Sequence, residues 1–246
     1  MNGAFSGAGS VTVNGGTATF AGAYTATGPV TLSSGNLIFN TPNGVSLPTF
    51  TQSNGTLGGA ATVTVNGALS WSGGTMSGSG RTVANGPLTL DGQVKYLDRR
   101  TLDIASGATW SGANPIGTST GAVINVLPGV TFDIQNDQAL VYNGGQRPTF
   151  NNAGTVTKSA GAGTSRIDMI FNNTGTLNLR AGTFQINGGG GNNSSVMDIA
   201  GGRTLDINGP YTNAATGVIQ GTGTLDIRDA QFTNNGTIAP TVIILQ

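Results

Sequence analysis

Polar and apolar residues alternate along this chain in short bursts. Val11-Thr-Val-Asn-Gly-Gly-Thr-Ala-Thr-Phe20 and Val30-Thr-Leu-Ser-Ser-Gly-Asn-Leu-Ile-Phe39 match position by position, at a step of 30 − 11 = 19. In each, an alternating run meets a glycine, and a second alternating run follows and ends on an aromatic. Alternation at period two marks a strand with one buried face. Variants of the unit recur at 63–71, 88–97, 102–110, 124–132, 177–184 and 197–205.

The second half can be written as columns. Phe150, Phe171, Gly191, Tyr211 and Phe232 follow one another at steps of 21, 20, 20 and 21. Val156, Leu177, Met197, Val218 and Ile238 form a second column, and Phe184, Leu205 and Leu225 a third. A polar column runs beside them through Asn152, Asn173, Asn193, Asn213 and Asn234, just after the aromatic positions. A period near 20 is too short for helical hairpin repeats, which need roughly 30 residues or more and a helical periodicity of about 3.6. It suits one coil of a β-solenoid, in which a coil buries its apolar face only by stacking on its neighbours at about 4.8 Å. The fold expected is all-β, a parallel β-helix of roughly 12 coils forming one elongated domain on the order of 55–60 Å long. Phe150, Phe171, Tyr211 and Phe232 are expected to stack, each touching the next. The Asn column is either a buried amide ladder linking coil to coil or a set of turn residues tolerant of left-handed backbone. The least regular stretches, 41–60, 91–100, 113–121 and 136–148, are expected to be loops bulging from the rod.

Composition narrows the chemistry. Glycine supplies 42 of 246 residues, charged residues are 8% against about 25% in ordinary globular domains, and all ten acidic residues are Asp. Ten Lys and Arg balance them, so the net charge is zero and the basic stripe that nucleic acid requires is missing. No apolar run approaches the roughly 18 residues of a membrane span. Without His, Cys or Glu, the usual general bases, thiolate ligands and activated nucleophiles are missing, and neither a metal nor another cofactor is expected.

The units Val11-Thr-Val-Asn-Gly15, Asn172-Asn-Thr-Gly-Thr-Leu-Asn-Leu179 and Thr204-Leu-Asp-Ile207 resemble the repeats of bacterial autotransporter passengers and filamentous-haemagglutinin-type adhesins. The resemblance implies a secreted, right-handed β-helix with a structural or adhesive role at a cell surface, and the missing His, Cys and Glu lead us to expect no enzymatic activity. A host-surface or matrix glycan is then the external partner to consider. The main alternative is a polysaccharide-active β-helix enzyme or a carbohydrate-binding module.

Two charged clusters are candidate sites. Lys95, Tyr96, Asp98, Arg99 and Arg100 could grip an acidic sugar, or could be a solvated loop between two coils. Asp206 and Asp226 are separated by one coil period, 226 − 206 = 20, and should be neighbours on one outer face. Their separation would suit a carboxylate pair for glycoside hydrolysis, or a calcium ion. The competing reading is a surface ion-pair patch neutralised by Arg203 and Arg228. Thr-x-Thr pairs at 17–19, 62–64 and 222–224 do not share a column, which argues against a flat threonine array for ice.

Neither end carries a polar cap, and Met1 to Ser10 is neither basic nor apolar. Any export signal is expected outside this sequence. Ile244 and Leu245 are expected to continue the core column of Leu225, so that subunits stack end to end or the chain is an excerpt of a longer rod.

Overall fold

The computed structural model describes residues 1–228 and 231–246. It contains 30 strands and no helix among those residues, joined in parallel ladders. The chain winds as a β-solenoid of about 12 turns. Each full turn adds a rung to each of three ladders. The first descends through 11–13, 30–32, Phe50–Gln52, Leu69–Trp71 and Leu88–Leu90 to 237–240. The second runs from 17–20 through 36–38, Thr56–Gly58, Gly74–Ser77 and Lys95–Asp98 to 242–245. The third runs from Val45–Leu47 through Thr62–Val65 and Arg81–Ala84 to Phe232–Asn234. Strand residues that face inward meet their equivalents one coil away, so the core is built of columns.

The register follows the sequence columns closely. Val11 pairs with Val30 and Phe20 with Phe39, as the first repeat requires. Phe5, Phe20, Tyr24 and Phe39 close the first coils as a cluster of rings, with centroids 5.0 to 5.4 Å apart. Phe150 pairs with Phe171 and their rings stack at 5.5 Å, a geometry that contributes beyond area burial. The expected contact of Phe171 with Tyr211 does not form, because Gly191 occupies the rung between and adds no side chain. Phe171 turns to Phe184 instead, at 6.0 Å. The second column passes through Ile219 rather than Val218, since Met197 pairs with Ile219 and Ile219 with Ile238. The turn at 214–217 shifts the strand by one position, and such a slip exchanges the inner and outer faces. The end of the chain shows the same effect. Leu225 pairs with Ile243, while Ile244 pairs with Asp226 on the outer face, so Ile243 and Leu245 continue the inner columns.

The four segments expected as loops each contain strand. Val45–Leu47, Phe50–Gln52 and Thr56–Gly58 lie within 41–60, and Lys95–Asp98, Ile116–Ser119 and Ala139–Tyr142 lie within the other three. Their irregularity in sequence came from short rungs and polar inward residues. Extra length is real only around the middle of the rod. There Ala108 pairs with Phe132, 132 − 108 = 24, and Ile124 with Phe150, 150 − 124 = 26.

Candidate functional site

Strand parity separates the first charged cluster. In Lys95–Asp98 the burial alternates, and Lys95 occupies an inner position whose neighbour one coil on is Ile116. Its ammonium is fully buried at the corner between the first and second ladders. It donates to the carbonyls of Asp91 and Gln93, the latter at 2.8 Å. Burial pulls its pKa down, and the charge of Asp91 opposes this. Arg100 is also fully buried. Its Nε donates to Thr82 Oγ1 at 2.8 Å, and its two terminal nitrogens reach the carbonyls of Gly59, Ser77, Ala61 and Arg81 at 3.0 to 3.4 Å. Burial lowers the guanidinium to a pKa of about 10. A Cβ on Gly80 would overlap the carbonyl oxygen of Ala61 and stand 2.8 Å from that of Gly59, so glycine there lets the corner holding the cation close on its neighbour. Tyr96 and Arg99 face outward, and Asp98 accepts from Ser119 Oγ at 2.8 Å. The five residues therefore do not converge on a ligand, and two of them secure the corners of the rod.

Lys158, which no charged cluster marks in the sequence, repeats the device. It is fully buried and donates to the carbonyls of Asn136 and Ala160, to Ser165 Oγ and to Asp137 Oδ1, at 2.8 to 3.0 Å. Burial raises the Asp137 carboxyl, but the Lys158 hydrogen bond, the Gly163 N–H and the Lys158 charge outweigh it and hold the carboxyl below its usual value.

The asparagine column is a buried ladder. Asn152 Nδ2 donates to Asn173 Oδ1 at 2.7 Å, Asn173 to Asn193, Asn193 to Asn213 and Asn213 to Asn234, each at 2.8 Å. The second amide hydrogen of Asn152 and of Asn173 goes to the carbonyl of Thr176 and of Val196. Residues 152, 173, 193 and 213 are fully buried, whereas Asn234 is exposed. A Cβ on Gly217 would overlap Asn213 Oδ1, which explains the glycine that follows this rung. An outer ladder of the same kind links Asn172 to Asn151 and Asn151 to Asn125 at 2.9 Å, and Asn125 to Asp103 at 2.7 Å.

The second charged cluster lies on the outer face of the second ladder. Asp206 pairs with Asp226 in register, so the two carboxylates are neighbours as expected. Arg228 joins them. Its Nε and Nη2 donate to Asp226 Oδ2 at 3.0 and 2.8 Å, and Nε also lies 3.4 Å from Asp206 Oδ1. Arg203 does not neutralise the pair, because its Nε donates to the carbonyl of Arg180. The other oxygen of Asp206 accepts from Gln185 Nε2 at 2.8 Å. Burial, with the charge of Asp226 as a lesser contribution, raises the Asp206 pKa, while Gln185 and Arg228 pull against it.

These residues line a trough of about 760 Å³ running along the rod. Its floor repeats one motif: Thr164-Ser-Arg-Ile-Asp168, Thr183-Phe-Gln-Ile-Asn187, Thr204-Leu-Asp-Ile-Asn208 and Thr224-Leu-Asp-Ile-Arg228. The four Thr pair in register, and the third residue of each motif forms the parallel column beside them. The segment around Asp137 and Gln138 bounds one end, where the coils are longest, and Ile244 lies at the other. Steps of 19, 21 and 20 between the four threonines were the signal available in the sequence, hidden among many other Thr-x pairs. Compared with known proteins, the chain matches no family model, no curated protein and no solved structure.

Proposed function

We propose that the chain is a structural or adhesive solenoid module of a secreted, cell-surface or extracellular fibre protein, without enzymatic activity. The observation that carries this reading is the placement of the cations. Lys95, Arg100 and Lys158 are fully buried and committed to backbone carbonyls and neighbouring polar side chains: Lys95 closes the corner of its own coil, while Arg100 and Lys158 brace coil against coil. A continuous buried Asn ladder does the same for the last coils. Three of the ten cations are thus spent on the frame of the rod and not on a cleft. The likeness of the repeats to autotransporter passengers and filamentous-haemagglutinin-type adhesins supports the same role.

The test is to coat inert beads with the purified chain and measure their retention on cultured-cell and extracellular-matrix surfaces under flow, beside a reducing-end assay on neutral and acidic polysaccharides. Retention without turnover is expected, with the chain sedimenting either as single rods or as longer end-to-end assemblies. Polysaccharide turnover that disappears in Asp206→Ala would overturn the reading in favour of a β-helix enzyme.

A further inference from the structure

We infer that the trough on the outer face of the second ladder, over residues 164–228, is a binding site for an uncharged, hydroxyl-rich polysaccharide laid along the rod axis. The inference rests on the adhesive reading and names its site and ligand class.

The floor offers a repeating set of hydrogen-bonding groups. Thr164, Thr183, Thr204 and Thr224 present one hydroxyl per coil, each both donor and acceptor. Beside them Arg166, Gln185, Asp206 and Asp226 present one planar polar group per coil. In-register parallel strands repeat these groups at about 4.8 Å. A polymer of pyranose rings, each roughly as long as one rung and fringed with hydroxyls, meets such a lattice unit by unit. The volume of about 760 Å³ falls within the range of ligand-binding clefts, roughly 300–1,000 Å³.

Charge selects among polysaccharides. The ionised groups on the trough are largely neutralised by one another: Arg166 by Asp168 at 2.8 Å, Asp137 by Lys158 at 2.8 Å and Asp226 by Arg228 at 2.8 Å. No unopposed cation among these groups is available to a polyanion. The residual charge is the Asp206 carboxylate, which would repel one.

An independent observation points to a ligand. Asp206 is only 3% exposed and lines the trough, yet its Oδ1 has no hydrogen-bond donor. Arg228 Nε, at 3.4 Å, is already directed at Asp226. A buried acceptor without a hydrogen bond is costly, so this oxygen gains from a donor, which reaches it when the Arg228 side chain, 46% exposed and 3.4 Å away, moves aside. A sugar hydroxyl supplies one without adding charge. Among the described residues no third carboxylate or other ligand type joins Asp206 and Asp226 to make a metal cage.

The experiment is isothermal titration of the full chain with uncharged β-1,4-linked glucan, mannan and N-acetylglucosamine hexaoses, with heparin, polygalacturonate and calcium chloride as comparators. Thr204→Val and Asp206→Ala are titrated in parallel, after circular dichroism has confirmed their fold. Thr204→Val keeps the shape of an outward side chain, so it folds even if Asp206→Ala does not. Binding of at least one neutral hexaose, weakened tenfold or more by Thr204→Val, is expected. Binding of the polyanions alone, a response to calcium alone, no binding at all, or hexaose binding indifferent to Thr204→Val would each overturn the inference. The bead-retention measurement is separate, so adhesion that persists in Thr204→Val would refute the trough while leaving the adhesive rod standing.

Discussion

The segments 95–100 and 203–228 each carry four charged residues, yet the solenoid uses them in opposite ways. In the first, Lys95 falls on the inner parity of its strand and Arg100 folds into the following corner, and both are buried against carbonyls. In the second, Thr204-Leu-Asp-Ile207 puts Leu205 and Ile207 inside and Asp206 on the outer face, where it meets Asp226, Gln185 and Arg228. A charged residue in a solenoid therefore takes its role from its position in the two-residue alternation and not from the density of charge around it. Inward, it must find every partner within the rod or cost several kcal/mol. Outward, it joins a column repeated at each coil.

The hardest way to break the comparison is to remove an inward cation. Arg100→Ala opens a cavity and deprives Thr82 and the four carbonyls of their guanidinium partner. A loss of about 3–5 kcal/mol is expected in urea denaturation. Arg100→Lys should recover little of it, since an ammonium lacks the planar fork that reaches across three coils. Retained stability in Arg100→Ala would mean that the corner is held by the backbone ladders alone.

The neutral counterpart is the Asn ladder. Asn193 sits in its middle, accepting from Asn173 and donating to Asn213 at 2.8 Å. Asn193→Ala strands a buried donor above and a buried acceptor below, so a loss of about 2–3 kcal/mol is expected by the same measurement. Asn234→Ala, at the exposed end of the ladder, should cost far less. Equal losses at the two positions would refute a ladder whose strength comes from burial.

Much of this fold was legible because a stacked solenoid writes its register into the sequence as columns. Phe150 over Phe171, Asn152 over Asn173 and Asp206 over Asp226 could be read from spacing alone. What could not be read is the consequence of a one-position slip. Val218 and Ile219 are both β-branched and apolar, and only the turn at 214–217 decides which one enters the core. Likewise Lys158 carried no mark of burial, because its ammonium depends on the carbonyls of Asn136 and Ala160, brought together from separate segments of the backbone; Lys95 uses carbonyls of its own corner, and only the parity of its strand turns it inward. The trough was hidden for another reason. Its threonines recur at the coil period, but so do other threonines, among them Thr31, Thr51, Thr89 and Thr109 on the first ladder. What distinguishes 164–228 is the trough they line beside the longer central coils, which no single strand reveals.

A smaller effect, opposite in sign, is expected at Tyr211. It occupies the aromatic column, 2% exposed, and its hydroxyl finds no hydrogen-bond partner among the described residues. Burial drives its pKa well above the usual value, as an unsolvated phenol requires. Tyr211→Phe keeps the ring and removes the unpaired oxygen, so a gain of about 1 kcal/mol is expected in thermal or urea unfolding. A loss instead would show that the hydroxyl has a partner, such as an internal water.

The smallest effect sharpens the outward half of the comparison. The Asp206 carboxyl is held above its ordinary value, chiefly by burial, so the folded chain favours its protonated form more than the unfolded chain does. Its contribution to stability is therefore fully present below the unfolded value of about 3.9 and is lost as pH rises through the raised folded value. Asp137 moves oppositely. Its carboxyl is held low, so the stability it contributes is present above the unfolded value and fades as pH falls through the depressed one. The raw pH dependence of unfolding mixes the two, and a difference between variants separates them. Asp206→Asn cannot ionise, so relative to the wild type it should be at its most favourable at pH 7, where the native carboxylate is charged and poorly solvated. That advantage should shrink as the pH is lowered toward 3.5 and Asp206 takes up its proton. Urea midpoints of the two proteins at pH 7 and pH 3.5 measure the change. A gap of the same size at both pH values would mean that Arg228 and Gln185 already compensate the carboxylate in full, leaving no unmet acceptor for a ligand.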